Sequence, residues 1–587
     1  SPALRQAVAP AGHGAAAEPP ASPLLLTMLT ILHYNRDGRP LPPERDELYE
    51  KLVDLLLHRW EPRRGEPVYE RDDLLKRLNI TGLKGSTEPL RRVLHEIAFK
   101  AHMAAQRGGD GRGAIDGDTL TGRLGRYFRE TLECPPAEVD EKVGIFLEVL
   151  RDDAGLLSRL GDNLYAFPHL TFQEYLAGCY LADRESPPDD AYARWLAADA
   201  DRWREALLLM SGRLRQTNSA AREGVRWLKR LARERYPVGD EMRPKSAAQR
   251  QRDALLAAEC YEVLGRRTRI DREQWEEVED LLRAALEAAL PPPHPARPPQ
   301  LALGPRERDR AALALAQLGD PRPGVCALPH GLDDPYWADP IPAGTYPIAN
   351  GTATVRLGAF RVARYLATVW QFRRFWEDPN GYENERLWPK SGWEWKQRGQ
   401  ITQPYLWDNP DWTADNQPVV GVSWYEAAAF CAWLEARGRE EGWLPAGWRI
   451  RLPSEAEWEV AAMWDAAADA MRPWAPAEGE LWQNVAEAGI GRSSPVGLFP
   501  QGASPCGALD MAGNVWEWCA SHHEDYPRQA DRRRDDFSVD RLGPTLRGGS
   551  YYLQNISSGW GARDWFFPYD RGLFRGFRVA VCSAPRR

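Results

Sequence analysis

The chain has 587 residues, 43% of them hydrophobic, and a formal net charge of -8. It is long enough for two to four domains of roughly 100 to 200 residues each, and it has no overall basic excess that would make nucleic acid a default partner. No apolar run approaches the roughly 18 residues of a membrane span, and the eight cysteines are scattered singly without a CxxC pair, as expected of reduced thiols in a cytoplasmic protein.

Residues 1–22 are rich in Ala, Pro and Gly, lack the basic start and apolar middle of a secretion signal, and are expected to be a disordered linker. Ser22 and Pro23 can cap a helix through Leu24 to Leu32. Pro42 and Pro43 can start a second that continues through Leu48, Tyr49, Leu52, Leu55, Leu56 and Trp60. Gly82-Leu-Lys-Gly-Ser-Thr87 lacks the Gly-Lys-Ser/Thr order that gathers backbone amides, a lysine and a hydroxyl around a triphosphate, and is expected to be a turn. No GxxxxGK[ST] loop occurs anywhere, so no ATP site is expected in this chain. Phe167-Pro-His-Leu-Thr-Phe-Gln-Glu-Tyr-Leu176 precedes a further helix.

Pro23-Leu-Leu-Leu-Thr27, Glu47-Leu-Tyr-Glu50, His169-Leu-Thr-Phe-Gln-Glu-Tyr175 and Trp203-Arg-Glu-Ala-Leu207 occur in that order. The set is similar to the winged-helix and helical region that follows the nucleotide-binding core in NACHT-type signalling ATPases. The resemblance assigns residues 23–182 to that region and implies an ATPase core upstream or on a partner. For His169 it leaves two roles open: contact with the nucleotide in the closed state, or a cap on the following helix. Residues 183–290, with Trp195, Leu207, Leu208, Leu209, Trp227, Leu228 and Leu231 on repeating faces, are expected to form a helical bundle. Residues 291–330 read as a linker: a stiff spacer at Pro291–Pro299, a short amphipathic helix from Arg306 to Leu318, and a turn cluster at Gly319–Gly324.

Twenty of the 25 tryptophans lie beyond residue 330, so the C-terminal part builds its core differently. It carries Gly421-Val-Ser-Trp-Tyr-Glu426, Arg451-Leu-Pro-Ser-Glu-Ala-Glu-Trp458, Asp510-Met-Ala-Gly-Asn-Val-Trp-Glu-Trp518, Arg547-Gly-Gly-Ser-Tyr551 and Gly576-Phe-Arg578. This ordered set resembles the formylglycine-generating enzyme family, whose modified C-type-lectin fold also occurs in the variable proteins of diversity-generating retroelements. The fold expected is therefore multidomain: an α-helical N-terminal half, winged-helix-like plus bundle, and an α+β C-type-lectin domain at 331–587.

The family's oxidising members depend on two cysteines, and the corresponding positions hold Leu553 and Ser558. Neither side chain can become the thiolate that this chemistry requires, and Cys519 and Cys582 have the apolar neighbours of inert buried thiols. These replacements, with the missing phosphate loop, lead to the expectation that the chain is not an enzyme. By resemblance to the variable proteins, the segment 547–578 is a variable region in which Arg547, Gly548, Gly549, Ser550, Arg563, Pro568, Gly576, Phe577 and Arg578 are fixed. The diversified ligand contacts would be Tyr552, Leu553, Gln554, Trp560, Asp564, Trp565, Phe566, Phe567, Tyr569, Gly572, Leu573 and Phe574. Independently of the resemblance, the consecutive Trp565, Phe566 and Phe567 cannot all enter one core, because neighbouring side chains of an extended segment point to opposite sides. Filling the core of a Trp-rich domain is the alternative use of these aromatics.

The resemblance also implies a structural calcium ion held by Asp510 and Glu517 side chains with the Gly513 and Val515 carbonyls, a set suited to a hard cation. A turn in which Asp510 accepts backbone amides without metal is the alternative. His522-His523-Glu524-Asp525 lacks the spacing of a zinc motif, and no iron-binding three-histidine pattern is present among ten histidines. Arg532-Arg-Arg-Asp-Asp536 neutralises itself. Ser454 and Glu457 fit a capping box. The preferred function at this level is a ligand-recognition protein that displays a hypervariable surface to a protein or other macromolecule and signals through a NACHT-type ATPase. The alternative is an enzyme of the same fold with a different, cysteine-independent chemistry; a purely structural module is a third possibility.

Overall fold

The computed structural model describes residues 32, 41–42, 44–57, 73–83, 86–105, 113–183, 200–215, 218–238, 241–265, 272–290, 301–472, 481–528, 536–537, 543–554 and 559–583. The linker expected at 1–22, the helix through 24–31, Trp60, Trp195, the spacer 291–299, the arginines 532–534 and Ser558 lie outside the described residues. The chain divides into two compact units, Ser1–Leu281 and Leu282–Arg587. Among the described residues no helix is long and apolar enough to cross a membrane.

The first unit contains α1 (Arg45–Leu57), α2 (Asp73–Leu78), α3 (Glu88–Ala104), α4 (Gly117–Glu130), α5 (Val139–Glu148) and α6 (Leu170–Ala182). Between them run the short strands β1 (Ile115–Asp116), β2 (Ser158–Gly161) and β3 (Leu164–Ala166), with β3 central and both pairings antiparallel. Tyr49, Leu52, Val53 and Leu57 recur at helical spacing and form the buried face of α1. Of the turn expected at Gly82–Thr87, residues 84 and 85 lie outside the described residues; before α3 the Ser86 hydroxyl accepts the Glu88 N–H at 3.1 Å, and Pro89 sits in the first turn, where its missing N–H costs nothing. Asp116 caps α4 by accepting the Thr119 N–H at 2.8 Å. His169 occupies the cap position of α6, but its side chain makes no capping hydrogen bond, so capping does not account for it.

The bundle that follows has α7 (Ala200–Leu214), α8 (Asn218–Ala232), α9 (Ala247–Leu264) and α10 (Arg272–Ala289), plus a hairpin of β4 (Arg235–Val238) and β5 (Glu241–Pro244) that the sequence pattern did not indicate. Leu207, Leu208, Leu209, Trp227, Leu228 and Leu231 are all buried, as the helical spacing predicts.

In the second unit α11 (Pro305–Leu318), read from sequence as part of a linker, is packed into the C-terminal domain. Ala311, Ala312 and Leu315 are buried, the Asn416 amide donates to the Ala312 carbonyl at 2.7 Å, and Arg492 pairs with Asp309 at 2.6 Å. The small alanine side chains allow close approach, and the partners lie 104 and 183 residues downstream. The domain therefore begins before residue 305, not at 331.

Its strands are β6 (Gly344–Ile348), β7 (Ala353–Leu357), β8 (Phe360–Val362), β9 (Trp448–Arg451), β10 (Trp464–Asp465), β11 (Ala470–Met471), β12 (Trp516–His522), β13 (Pro544–Gly548), β14 (Gly559–Trp565), β15 (Arg575–Phe577) and β16 (Ala580–Ser583). Its remaining helices are α12 (Val369–Glu377), α13 (Lys390–Arg398), α14 (Trp424–Glu440) and α15 (Glu455–Met463). The principal sheet has the order β14-β13-β12-β15, with β15 parallel to β12, while β16 pairs antiparallel with both β8 and β9. Every residue of β12 and of α15 is buried. Trp424, Trp458 and Trp518 fill the interior; the indoles of Trp424 and Trp518 donate to the carbonyls of Cys519 (2.9 Å) and Val422 (3.2 Å).

Candidate functional site

The candidate site is the surface that the chain draws between β13 and β15. At its start β13 delivers Arg547 into the interior, where the guanidinium pairs with Glu459 at 2.7 Å, approaches Glu455 at 3.5 Å and lies over the Trp458 ring. Gly548 (φ +95°) and Gly549 (φ +81°) then reverse the chain in a conformation closed to L side chains. A Cβ at Gly548 would also stand 3.1 Å from the Met511 carbonyl. Ser550 is consequently buried, and Tyr551 re-emerges with its N–H on the Asn514 carbonyl. At the other end Arg578 is fully buried: Nε and Nη2 donate to the Glu517 carboxylate at 3.0 and 3.1 Å, and its remaining N–H groups reach the carbonyls of Ala363, Arg364 and Leu509. Pro568, Gly576 and Phe577 are buried, and Arg563 is half-buried with its guanidinium on Glu455.

On this frame stand the twelve residues expected as contacts, and none of them is buried. Tyr552, Gln554 and Phe567 are exposed; Leu553, Trp560, Asp564, Trp565, Phe566, Tyr569, Gly572, Leu573 and Phe574 are half-exposed. The aromatic run divides as strand geometry requires: Phe566 leans on the core with Leu553, Tyr569 and Phe574, while Trp565 meets Phe567 edge-on at 5.7 Å and Phe567 stacks on Tyr569 at 5.3 Å. Trp560 and Leu573 lean on two other parts of the core. The residues thus serve packing with one side and face outward with the other.

Two members of the surface were not found in the sequence. Trp412, from a distant loop, lies 6.0 Å from Tyr551, which continues to Tyr552 (5.9 Å), Phe574 (5.0 Å) and Phe566 (6.3 Å). Arg575 lies between the last two rings, its Cζ 3.5 Å from the Phe566 centroid and 4.5 Å from that of Phe574. No local signal connects Trp412 with residue 551. Nor did one mark Arg575, which stands in sequence between Arg571 and Arg578 and differs from them only in what surrounds it once folded.

The thiols do not enter this surface. Cys519 and Cys582 are buried, and burial raises the Cys519 thiol well above its ordinary value. Leu553 is half-buried, its carbonyl accepting the Ala486 N–H. Of the four residues expected at a calcium ion, the two carboxylates already have protein partners. Both oxygens of Glu517 are engaged by Arg578, so a cation is already in place beside that carboxylate. Asp510, in the left-handed region at φ +59°, accepts the Gly497 N–H at 2.7 Å, the turn role. Burial raises its pKa to about 6, against the lowering effect of that hydrogen bond and of Arg578. Gly513 is held by backbone pairing, its N–H on the Gly548 carbonyl, and Val515 is buried in the core. Among the described residues no group of three His, Cys, Asp or Glu side chains is placed to hold a metal ion. His522 instead accepts the Glu524 N–H through its ring at 3.2 Å.

The frame, the buried arginines and the aromatic face now have a context. The model of the sulfatase-modifying factor enzyme 1-like domain matches residues 339–582. The C-terminal part of this chain is a domain of that family. A second model, the winged helix-turn-helix domain C-terminal to NACHT, matches residues 45–181. The modifying-factor domain is similar to hercynine oxygenase of Mycobacterium tuberculosis, 34% identical over 243 residues, covering 38% of this chain and 53% of that protein. It is also similar to the formylglycine-generating enzyme of the same organism, 32% identical over 178 residues, covering 27% of this chain and 54% of that protein. The chain thus spans about half the length of these curated relatives. Among solved structures, Treponema denticola variable protein 1 is 21% identical, with 42% of this chain and 94% of that one covered and a TM-score of 0.28.

These relatives overturn the expectation that the chain is not an enzyme. That expectation rested on Leu553 and Ser558 and on the missing phosphate loop, yet relatives of 33–34% identity are named as oxygenases. A fold of this kind supports more than one chemistry, so the residues at 553 and 558 do not decide whether the domain is catalytic.

Proposed function

We propose that the modifying-factor domain is the substrate-binding part of an enzyme whose chemistry does not use the family's cysteine pair, and that the substrate meets the face running from Tyr551 to Phe574. The observation that carries this reading is the division of exposure: none of the twelve face residues is buried, whereas the turn and strand beneath them, Arg547–Ser550 and Gly576–Arg578, are. A buried frame fixes the positions of half-exposed aromatics, which bind with much contact area and little loss of rotamer freedom. The relatives named as oxygenases support an enzyme with this frame. The winged-helix region supports a NACHT-type ATPase core as partner, upstream or in trans.

The test is turnover. The full chain and its Tyr552→Ala/Phe574→Ala variant are incubated aerobically with a metabolite extract, and consumption of individual compounds is followed by mass spectrometry. The reading requires a compound consumed in many-fold excess over protein, by the parent and not by the face variant, with Cys519→Ser and Cys582→Ser retaining the activity. Stoichiometric retention of a ligand without conversion would reject it.

The same exposure pattern favours a second, compatible feature: diversification of the face by a retroelement. A neighbouring imperfect repeat of the codons for 547–578, differing at adenines that map to the twelve positions, is the required observation, and its absence sinks this feature alone.

A further inference from the structure

Arg575 is the side chain in this surface whose charge is least accounted for. It is 5% exposed, and its Nε is buried without a hydrogen-bond partner. Among the described residues the guanidinium forms no ion pair, unlike Arg547, Arg563, Arg571 and Arg578, each of which has a carboxylate within 4 Å. The nearest acids are turned elsewhere: Asp570 accepts the Phe567 N–H at 3.2 Å and Asp564 accepts the Trp565 N–H at 2.8 Å. Their fields and that of Tyr552 favour the charge, but burial dominates and pulls the pKa of the guanidinium down. What surrounds it is aromatic, with Phe566 and Phe574 on its faces, Tyr552 5.0 Å from Phe574, and Gly572 so close that a Cβ there would meet Nη1 at 2.8 Å.

An isolated charge in such a place is costly, and contact with aromatic faces recovers only part of that cost. The deficit disappears if an anion joins the guanidinium, because a planar carboxylate matches its fork of donors. Tyr552 is 48% exposed, and Phe566 and Phe574, whose rings lie against the guanidinium, are half-exposed.

We infer that Arg575 is the anchor for a carboxylate on the ligand of this face, with the apolar group next to that carboxylate packed between Tyr552, Phe566 and Phe574. The inference rests on the reading of the face as a substrate-binding surface and adds the chemical class: an acid with an adjoining aromatic or apolar group. Such a carboxylate is supplied either by a free acid or by a peptide C-terminus ending in an apolar residue. A neutral ligand of the same shape would leave the guanidinium unpaired and should be discriminated against.

The full chain is titrated calorimetrically with 3-phenylpropionate and 3-phenylpropionamide, and with Ala-Ala-Ala-Phe carrying a free or an amidated C-terminus. The parent is expected to bind at least one acid tenfold or more tightly than its amide, and the pair showing this identifies the source of the carboxylate. Arg575→Met, which keeps the packing volume, is expected to bring acid and amide within twofold, and Arg575→Lys to retain part of the preference. Circular dichroism and melting of the Met variant establish that it is folded; an unfolded Met variant leaves the Lys variant to decide. Equal binding of acid and amide by the parent, no binding of any probe at 10 mM, or an undiminished preference in the folded variants overturns the assignment. Turnover by the extract assay without an acid preference would remove the role of Arg575 alone, whereas an acid preference without turnover would remove the enzymatic reading alone.

Discussion

At the scale of single residues, the domain places charges where burial makes their partners decisive. Arg578 and Glu517 are both fully buried, so deleting one partner leaves the other as an uncompensated charge, whereas replacing both with apolar groups removes the problem. Arg578→Met is therefore expected to destabilise by about 3 to 5 kcal/mol, and adding Glu517→Met to recover most of that loss, read from denaturant melts of the single and double variants. The same pair bears on calcium. With Glu517 held by Arg578, millimolar calcium is expected to leave the melting temperature unchanged, and a rise of several degrees would mean that the ion displaces the guanidinium.

Asp510 makes a pH-dependent contribution of the opposite sign to a typical salt-bridged carboxylate. Its folded pKa, about 6, lies above the ordinary 3.8, so between these values the folded state binds more protons than the unfolded state. Stability contributed by this group is thus present below about pH 4 and falls as pH rises to about 6, by roughly 3 kcal/mol in all. Asp510→Asn, which keeps an acceptor for the Gly497 N–H, is expected to flatten the decline in melting temperature across that window. An identical slope in both proteins would contradict the assignment.

At the scale of elements, local rules decided where helices begin. Ser454 and Glu457 form the expected capping box: the Ser454 hydroxyl accepts the Glu457 N–H at 3.2 Å and Glu457 accepts the Ser454 N–H at 2.8 Å. Ser454→Ala is expected to cost about 1 to 2 kcal/mol by chemical denaturation. A second box at Ser423 and Glu426 follows the same rule, with Glu426 also accepting the Tyr382 hydroxyl at 2.6 Å. These spacings are complete within four residues, which is why they were legible. The position of α11 was not. Its amphipathic pattern announced a helix, but the buried Asn416 and Arg492 that hold it come from far along the chain. Trp412 and Arg575 were missed for a related reason: an aromatic becomes a neighbour of Tyr551, and an arginine becomes unpaired, only after folding.

At the scale of the whole molecule, the two units have separate cores, one built of Leu and Phe around Leu52, Leu94 and Phe128, the other of stacked Trp, Tyr and Phe around Trp424, Phe430 and Phe577. Leu52→Ala and Trp458→Ala are each expected to lose about 3 to 5 kcal/mol. In differential scanning calorimetry each is expected to lower a different one of two transitions; a single transition shifted by both would show that the units unfold together. The sequence by itself determined the resemblance of the two parts to known families and the turn at Gly548 and Gly549, because each motif that carries them is a run of residues close together in the chain. Only the tertiary structure decided that α11 belongs to the C-terminal domain, that Glu517 faces an arginine, and that Arg575 lies buried among aromatics without a counter-charge. Burial and pairing arise between residues that no local pattern connects, and they set the electrostatics on which the candidate site depends.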